Sequence, residues 1–205
     1  MWQQILPGLR IKVFLTVLLG IAYPLVMTGI SQMLFPRQSA GSLITENGKV
    51  VGSELIGQSF TRPEYFNSRP SNAGANGYDA TASSGYNQGP TNKKLVDRVS
   101  AAVEQFRKNN PDYKGPIPAD LVTGSASGLD PHLSPDSTRA QAARVAQLRH
   151  APVEQMNQLI GQYTEAPDLG ILGEPRVNVL KLNLELDRRF GKPAPPPAPA
   201  PAEAK

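Results

Sequence analysis

Residues 13–35 (VFLTVLLGIAYPLVMTGISQMLF) carry no charged side chain, whereas almost everything after them is polar and rich in Gly, Pro and Asn. A hydrocarbon core about 30 Å thick needs about 20 apolar residues at a rise of about 1.5 Å each. The run is long enough to cross once with some tilt, and no second run approaches its length. A cleaved signal peptide has a shorter apolar core, and Gln38-Ser39-Ala40 makes a poor cleavage site. A core helix is rarely apolar on every face. The pattern therefore predicts one retained transmembrane helix. Pro24 should kink it by removing a backbone hydrogen bond and crowding the preceding turn. Thr16, Thr28, Ser31 and Gln32, with Gly20 and Gly29, are residue types that face a neighbouring helix in lipid. Arg10 and Lys12 precede the run and only Arg37 follows closely, so the positive-inside bias places a short N-terminus in the cytoplasm and the bulk outside.

Beyond the span the period changes. Short apolar stretches flank Asn47-Gly48 in SLITENGKVV (42–51), the signature of a hairpin closed by a type I′ turn. Residues 63–92 are dense in Asn, Gly, Ser and Pro and show little periodicity. Thirty residues exceed an ordinary connection, so this is a functional or disordered loop. The aromatics Phe60, Tyr65, Phe66, Tyr78 and Tyr86 argue that it is ordered and packed. Leu95, Val96, Val99, Val103 and Phe106 recur at helical spacing and predict an amphipathic helix from residue 92 to about 109. A short helical turn is expected at 118–122, followed by the chain of turns GSASGLDPHLSP (124–135). Ser134 as N-cap, Pro135 at the first position and Asp136 at the positive dipole end open a helix running to about Arg149. A second helix is expected over 152–163. Residues 177–186 alternate leucines strictly enough for a strand, yet Asn178 could cap a helix through Asp187; a short strand feeding a terminal helix is the preferred reading. The expected organisation is a short cytoplasmic N-terminus (1–12), the span (13–35), an α+β extracytoplasmic domain (36–191) and a disordered Pro/Ala-rich tail (192–205).

Composition removes several classes of function. Two of the 21 Lys/Arg precede the span, and the 19 that follow it face 17 Asp/Glu, so the soluble part is almost neutral. A basic cluster able to neutralise phosphates is missing, which speaks against nucleic acid as a partner. The absence of cysteine excludes disulfides, thiolate metal sites and a cysteine nucleophile. The densest group of reactive types is Ser125, Ser127, Asp130 and His132. A serine hydrolase assembles its triad in space, normally from distant positions, whereas these residues share one loop. Asp-Pro-His is also a natural turn before a capped helix. The turn motif Gly124, Ser127, Gly128, Asp130, Pro131 and His132 is therefore read as structural, with Gly128 supplying a backbone angle a larger residue would resist. His150 falls at a helix end, and two histidines at these positions give no metal-ligand spacing. The string SSGYNQG (83–89) is loosely similar to the Ser/Gly/Gln signature that ATP-binding cassettes set against a γ-phosphate. It makes Ser83, Ser84, Gly85 and Gln88 nucleotide candidates, although the predicted orientation puts them on the side without ATP. Asn67, Arg69, Pro70 and Ser71 are the candidate partner contacts, being polar or exposed types on an ordered loop.

Five blocks occur in order behind the span: SELIGQSFTRPEYFNSRPS (53–71), GPTNKKL (89–95), PADLVTGSASGLDPHLSP (118–135), QAARVAQLR (141–149) and LGEPRVNVLKLNLELD (172–187). Together they closely resemble the C subunit of the bacterial Kdp potassium-transporting ATPase, over about residues 5–190. The middle loop departs most, with SSGYNQGP where that family usually has a Ser-Gly-Gly-Ser-Asn-type string, and the Pro/Ala tail lies outside the resemblance. The resemblance implies a non-catalytic accessory subunit in the bacterial inner membrane, binding no cofactor of its own. Its implied partners are a channel-like potassium-selecting subunit, a P-type ATPase subunit that handles ATP, and a very small single-span subunit. It also implies that the chain stabilises the complex and raises the catalytic subunit's apparent ATP affinity, an effect that an extracytoplasmic domain could exert only indirectly. A membrane-anchored periplasmic hydrolase using Ser127 or His132 and a free-standing binding module are the alternatives.

Overall fold

A computed structural model describes residues 2–194, except the side chain of residue 2. The chain divides into two units, Met1–Ser53 and Glu54–Lys205. In the first unit, α1 (Trp2–Val17) passes through a π-helical turn, Leu18–Ala22, into α2 (Tyr23–Leu34). Helix continues through residues predicted as a separate N-terminus, giving one apolar stretch, Gln3–Leu34, of 32 residues with no face buried. Pro24 accounts for the π turn. Proline has no N–H to offer and its ring crowds the carbonyl four residues back. Widening the turn lets the Tyr23 N–H reach Leu18 O instead, a known way for a helix to absorb such a misfit. After the one-turn helix α3 (Pro36–Ser39), β1 (Leu43–Glu46) and β2 (Lys49–Ser53) form the predicted hairpin. Asn47 (φ +51°) and Gly48 (φ +77°) close it with both central residues left-handed, as a type I′ turn requires.

The second unit is a mixed helix and strand body. Asn92 caps α4 (Lys93–Asn109) by accepting from Lys94 N at 2.9 Å. A 3₁₀ turn, Ala119–Leu121, precedes β3 (His132–Leu133). Ser134 caps α5 (Pro135–Leu148) through Ser137 N at 3.1 Å, as its sequence announces. Helix α6 (Val153–Gln162), β4 (Thr164–Glu165), β5 (Arg176–Asn178) and α7 (Val179–Phe190) complete the unit. The strands form a small antiparallel sheet in the order β3-β5-β4. The leucine alternation at 180–186 is helical: Asn178 accepts from Lys181 N at 3.1 Å, and Val179, Leu182, Asn183 and Leu186 share the buried face, with Leu184 half-buried beside it. Its period of two arose because polar residues alternate with leucines on both faces.

The core lies among α5, α6, α7 and β5, with Val145, Met156, Ile160, Val177 and Leu182 fully buried and Phe66 of the long loop joining them. Since that loop has no ladder to satisfy its backbone, buried side chains do so. Asn183 bonds both the N–H and the carbonyl of Phe66, at 3.0 and 2.9 Å. The Arg144 guanidinium donates to Pro63 O, to Tyr65 O at 3.1 Å, and to Asn67 Oδ1, Gln141 Oε1 and Asn110 Oδ1 at 2.9–3.0 Å. Arg149 reaches Glu64 O, Gly191 O and the Asp187 carboxylate while lying over the Tyr65 ring. Of the predicted tail, residues 192–194 are described, and Arg62 donates to the carbonyls of Pro193 and Ala194; the rest of that prediction falls outside the described residues.

Replacing Arg144 with Met would remove the donor from Pro63 O, Tyr65 O, Asn67 Oδ1 and Asn110 Oδ1, leaving Gln141 Oε1 only its bond from Asn67 N. The expected loss is at least about 3 kcal/mol, since each buried unsatisfied acceptor costs about 1–3 kcal/mol. Urea denaturation of the full chain in detergent, followed by near-ultraviolet circular dichroism, should show it. Arg144→Lys should recover only part, because an ammonium cannot reproduce the planar fork; a wild-type midpoint for either variant would contradict this role.

Candidate functional site

The long loop and the turn run 123–132 interleave, and the predicted site residues meet where they do. The Ser71 hydroxyl is the hub: it donates to Gly128 O at 2.6 Å and accepts from Ala73 N at 3.1 Å and Tyr78 N at 2.8 Å. Tyr78 donates to Arg69 O at 2.7 Å and Tyr86 to Ser71 O at 3.0 Å. Burial pushes the Tyr78 phenol up to about 12, so it stays protonated and serves as a donor. From the other side, Ser84 N and the Ser83 hydroxyl both donate to Ser127 O, at 2.9 and 3.0 Å. Two glycines permit this spacing. A Cβ on Gly85 would lie 2.5 Å from Ala126 O, and one on Gly128 would lie 2.5 Å from Ser84 O at a φ of +69°. Both neighbours are backbone atoms that cannot step aside.

The charged centre is Asp130. One carboxylate oxygen accepts from Arg69 Nη1 at 2.9 Å; the other accepts from His132 N at 3.0 Å and faces His132 Nδ1 at 3.6 Å. Burial works to raise the Asp130 pKa, but the hydrogen bonds from His132 and the Arg69 charge outweigh it and hold the carboxyl below its ordinary value. The Ser127 hydroxyl accepts from Leu129 N at 3.1 Å and lies 3.5 Å from the Ser125 hydroxyl. Among the described residues it makes no hydrogen bond to the His132 imidazole, so the nucleophile–base contact that a serine hydrolase needs is not in place.

Two open clefts flank residues 124–126. One, of about 760 Å³, is lined by Leu55, Ile56, Arg69, Leu129, Asp130 and His132 among others. The second, of about 610 Å³, is lined by Tyr86, Gln88, Leu95, Arg98 and Thr123 among others. The Arg98 guanidinium lies over the Tyr86 ring, 3.6 Å from its centroid, and its Nη2 reaches Gln88 Oε1 at 3.4 Å. Arg98 Nε and Nη1 and Arg69 Nε are buried without a hydrogen-bond partner. What this arrangement offers is donors for an acceptor or an anion. Among the described residues no three His or carboxylate side chains gather as metal ligands.

The structure thus brings together most residues singled out from sequence, and in each case uses them internally. Asn67 donates to Phe60 O and Gln141 bonds its backbone N–H and carbonyl. Arg69 is taken by Asp130, while Pro70 O lines the approach to Gly124. Ser83, Ser84 and Gly85 face the 124–128 turn, and Gln88 faces Arg98. Sequence reasoning missed Arg144, Arg98 and Asn183. The signal for Arg144 was present: it falls in the same helical stripe as Ser137, Gln141 and Val145, where polar side chains at apolar positions mark a buried network.

The model of the family described as KdpC, K+-transporting ATPase, c chain, matches residues 5–188. A potassium-transporting ATPase KdpC subunit of Myxococcus xanthus is 55% identical over 192 residues, covering 93% of this chain and 90% of the relative. The subunit of the same description from Polaromonas naphthalenivorans is 54% identical, covering 88% and 92%, and that from Koribacter versatilis 50%, covering 95% and 100%.

Two variants test the site's construction. Gly128→Ala must place a Cβ against Ser84 O in a left-handed conformation, so it should destabilise the fold by about 1–3 kcal/mol, read as a lowered thermal midpoint. For Asp130 the folded pKa is depressed, so its stabilisation is present above the ordinary aspartate value of about 3.9 and is lost as pH falls through the lower folded value. The gap in thermal midpoint between wild type and Asp130→Asn should therefore be open at pH 7 and narrow as pH falls below about 4. A gap independent of pH would show that the Asp130 charge adds nothing.

Proposed function

Because the chain belongs to the KdpC family of K+-transporting ATPase subunits, we propose that it is a non-catalytic subunit that stabilises an ATP-driven potassium uptake complex in the bacterial inner membrane. The observation that carries this reading is the division of labour in the fold. A helix, Gln3–Leu34, that is uncharged from Val13 onward and exposed along its length suits attachment in lipid among other membrane helices. In the domain that follows, the serines, tyrosines and Asp130 hold two loops together. In this proposal the part of that domain is to present a surface to partner subunits.

The partners in this proposal are the channel-like potassium-selecting subunit, the catalytic P-type ATPase subunit and the very small single-span subunit. Arg10 and Lys12 against Arg37 support a cytoplasmic N-terminus and an extracytoplasmic domain. In that orientation any influence on ATP affinity travels through the membrane helices, because the domain and the nucleotide lie on opposite faces. Ser83, Ser84, Gly85 and Gln88 then serve loop packing and leave ATP to the catalytic subunit.

A strain lacking this chain should fail to grow at micromolar potassium and recover when the full chain is supplied. The tagged chain, solubilised gently, should retrieve an ATPase subunit and a channel-like subunit, while the purified chain alone should release no phosphate from ATP. Normal growth of the deletion strain at micromolar potassium would sink the proposal.

A further inference from the structure

Between β4 and β5 the chain makes a second tight hairpin. Asp168 and Leu172 exchange backbone hydrogen bonds of 2.9 Å in both directions, and Ile171 N donates to Asp168 O at 3.3 Å. Arg176 braces the base through Glu165 at 3.2 Å and Asp168 at 3.6 Å. The two central residues, Leu169 and Gly170, have φ of +55° and +78°. These values match the +51° and +77° of Asn47 and Gly48 in the β1–β2 hairpin. At that first turn the chain uses the Asn-Gly pair such a turn favours. At this one it places leucine where a branched apolar residue is strained.

The fold gains nothing from that leucine. Leu169 is 88% exposed, Ile171 82% and Leu172 56%, so the turn carries its apolar side chains away from the core. A residue that strains its own backbone and packs against nothing in its chain is suited to a surface elsewhere. Charge decides which kind. Asp168 and Glu174 are the charged residues of the segment 166–174, which contains no Lys, Arg, Trp or Tyr, while Glu165 at its base is neutralised by Arg176 and Lys181 and Asp168 lies 3.6 Å from Arg176. Segments that enter a bilayer surface carry basic and aromatic flanks, and an anionic leaflet repels carboxylates. An acidic rim around an apolar tip complements an apolar slot edged with basic side chains on a protein.

We propose that residues 167–173 are a docking knob whose Leu169 and Ile171 side chains enter an apolar, basic-rimmed slot on another subunit of the transporter. This rests on the subunit reading above. The test uses the full tagged chain expressed with its partner subunits in membranes. Leu169→Asn restores the favoured Asn-Gly turn, so its thermal midpoint should equal or exceed that of wild type. Combined with Ile171→Thr, it should nevertheless lower recovery of partner subunits after a stringent detergent wash by at least tenfold. A photoreactive benzoylphenylalanine at position 171 should yield an adduct with one protein subunit, and Leu169→Asn should weaken that adduct. Adducts with lipid only, no adduct, or recovery and adduct yields equal to wild type would overturn the knob while leaving the subunit reading intact. Failure of the wild-type chain to retrieve any ATPase subunit would overturn both.

Discussion

The domain depends on a buried cation held by neutral oxygens, with Glu64 as the carboxylate whose charge reaches it. Arg144 is buried, and its five hydrogen bonds all end on neutral oxygens: two loop carbonyls and the side chains of Asn67, Asn110 and Gln141. Burial drops the guanidinium pKa to about 10, which still leaves it charged at neutral pH. Charge-assisted hydrogen bonds are roughly twice as strong as neutral ones, so one side chain ties the start of the long loop, the end of α4 and the middle of α5 into a single unit.

Everything functional about the loop follows from that tie. With residues 63–67 fixed, Phe66 enters the core, Asn183 satisfies its peptide groups, and the chain is delivered to Ser71 in register with Gly128. Polar side chains there act as substitutes for a missing sheet ladder. Many of the hydroxyls in this stretch are therefore engaged with backbone across the loop pair, while Asp130 and Gln88 pair with the Arg69 and Arg98 side chains. The unpartnered donors of Arg69 and Arg98 are the exception within it.

Elements with a strong period or a local cap could be read directly. An apolar N-terminal helix, the Asn-Gly hairpin, α4, and α5 behind Ser134-Pro135 all form, the first beginning at Gln3, ahead of the uncharged run that starts at Val13. Strands β3 and β4 have two residues each, too few for any alternation to register, and only pairing with β5 defines them. Asn178 lies in β5 and caps α7 at once, which is why both readings of 177–187 had support. In the candidate site the residue types were visible but their partners were not. Ser71 and Gly128 are 57 positions apart, and nothing local in either announces the other. Leu169 escaped notice because a leucine is unremarkable until its φ and exposure are known.

The π turn at Leu18–Ala22 also changes how the N-terminal apolar helix presents itself. Such a turn holds one residue more than an α turn, and each residue advances the helix by about 100°. Every side chain beyond it is therefore rotated by about that angle from where a continuous α-helix would carry it. Thr16 on one side, and Thr28, Ser31 and Gln32 on the other, cannot be projected onto a single helical wheel. The helix is two short surfaces with independent azimuths, so its two halves can address different neighbours.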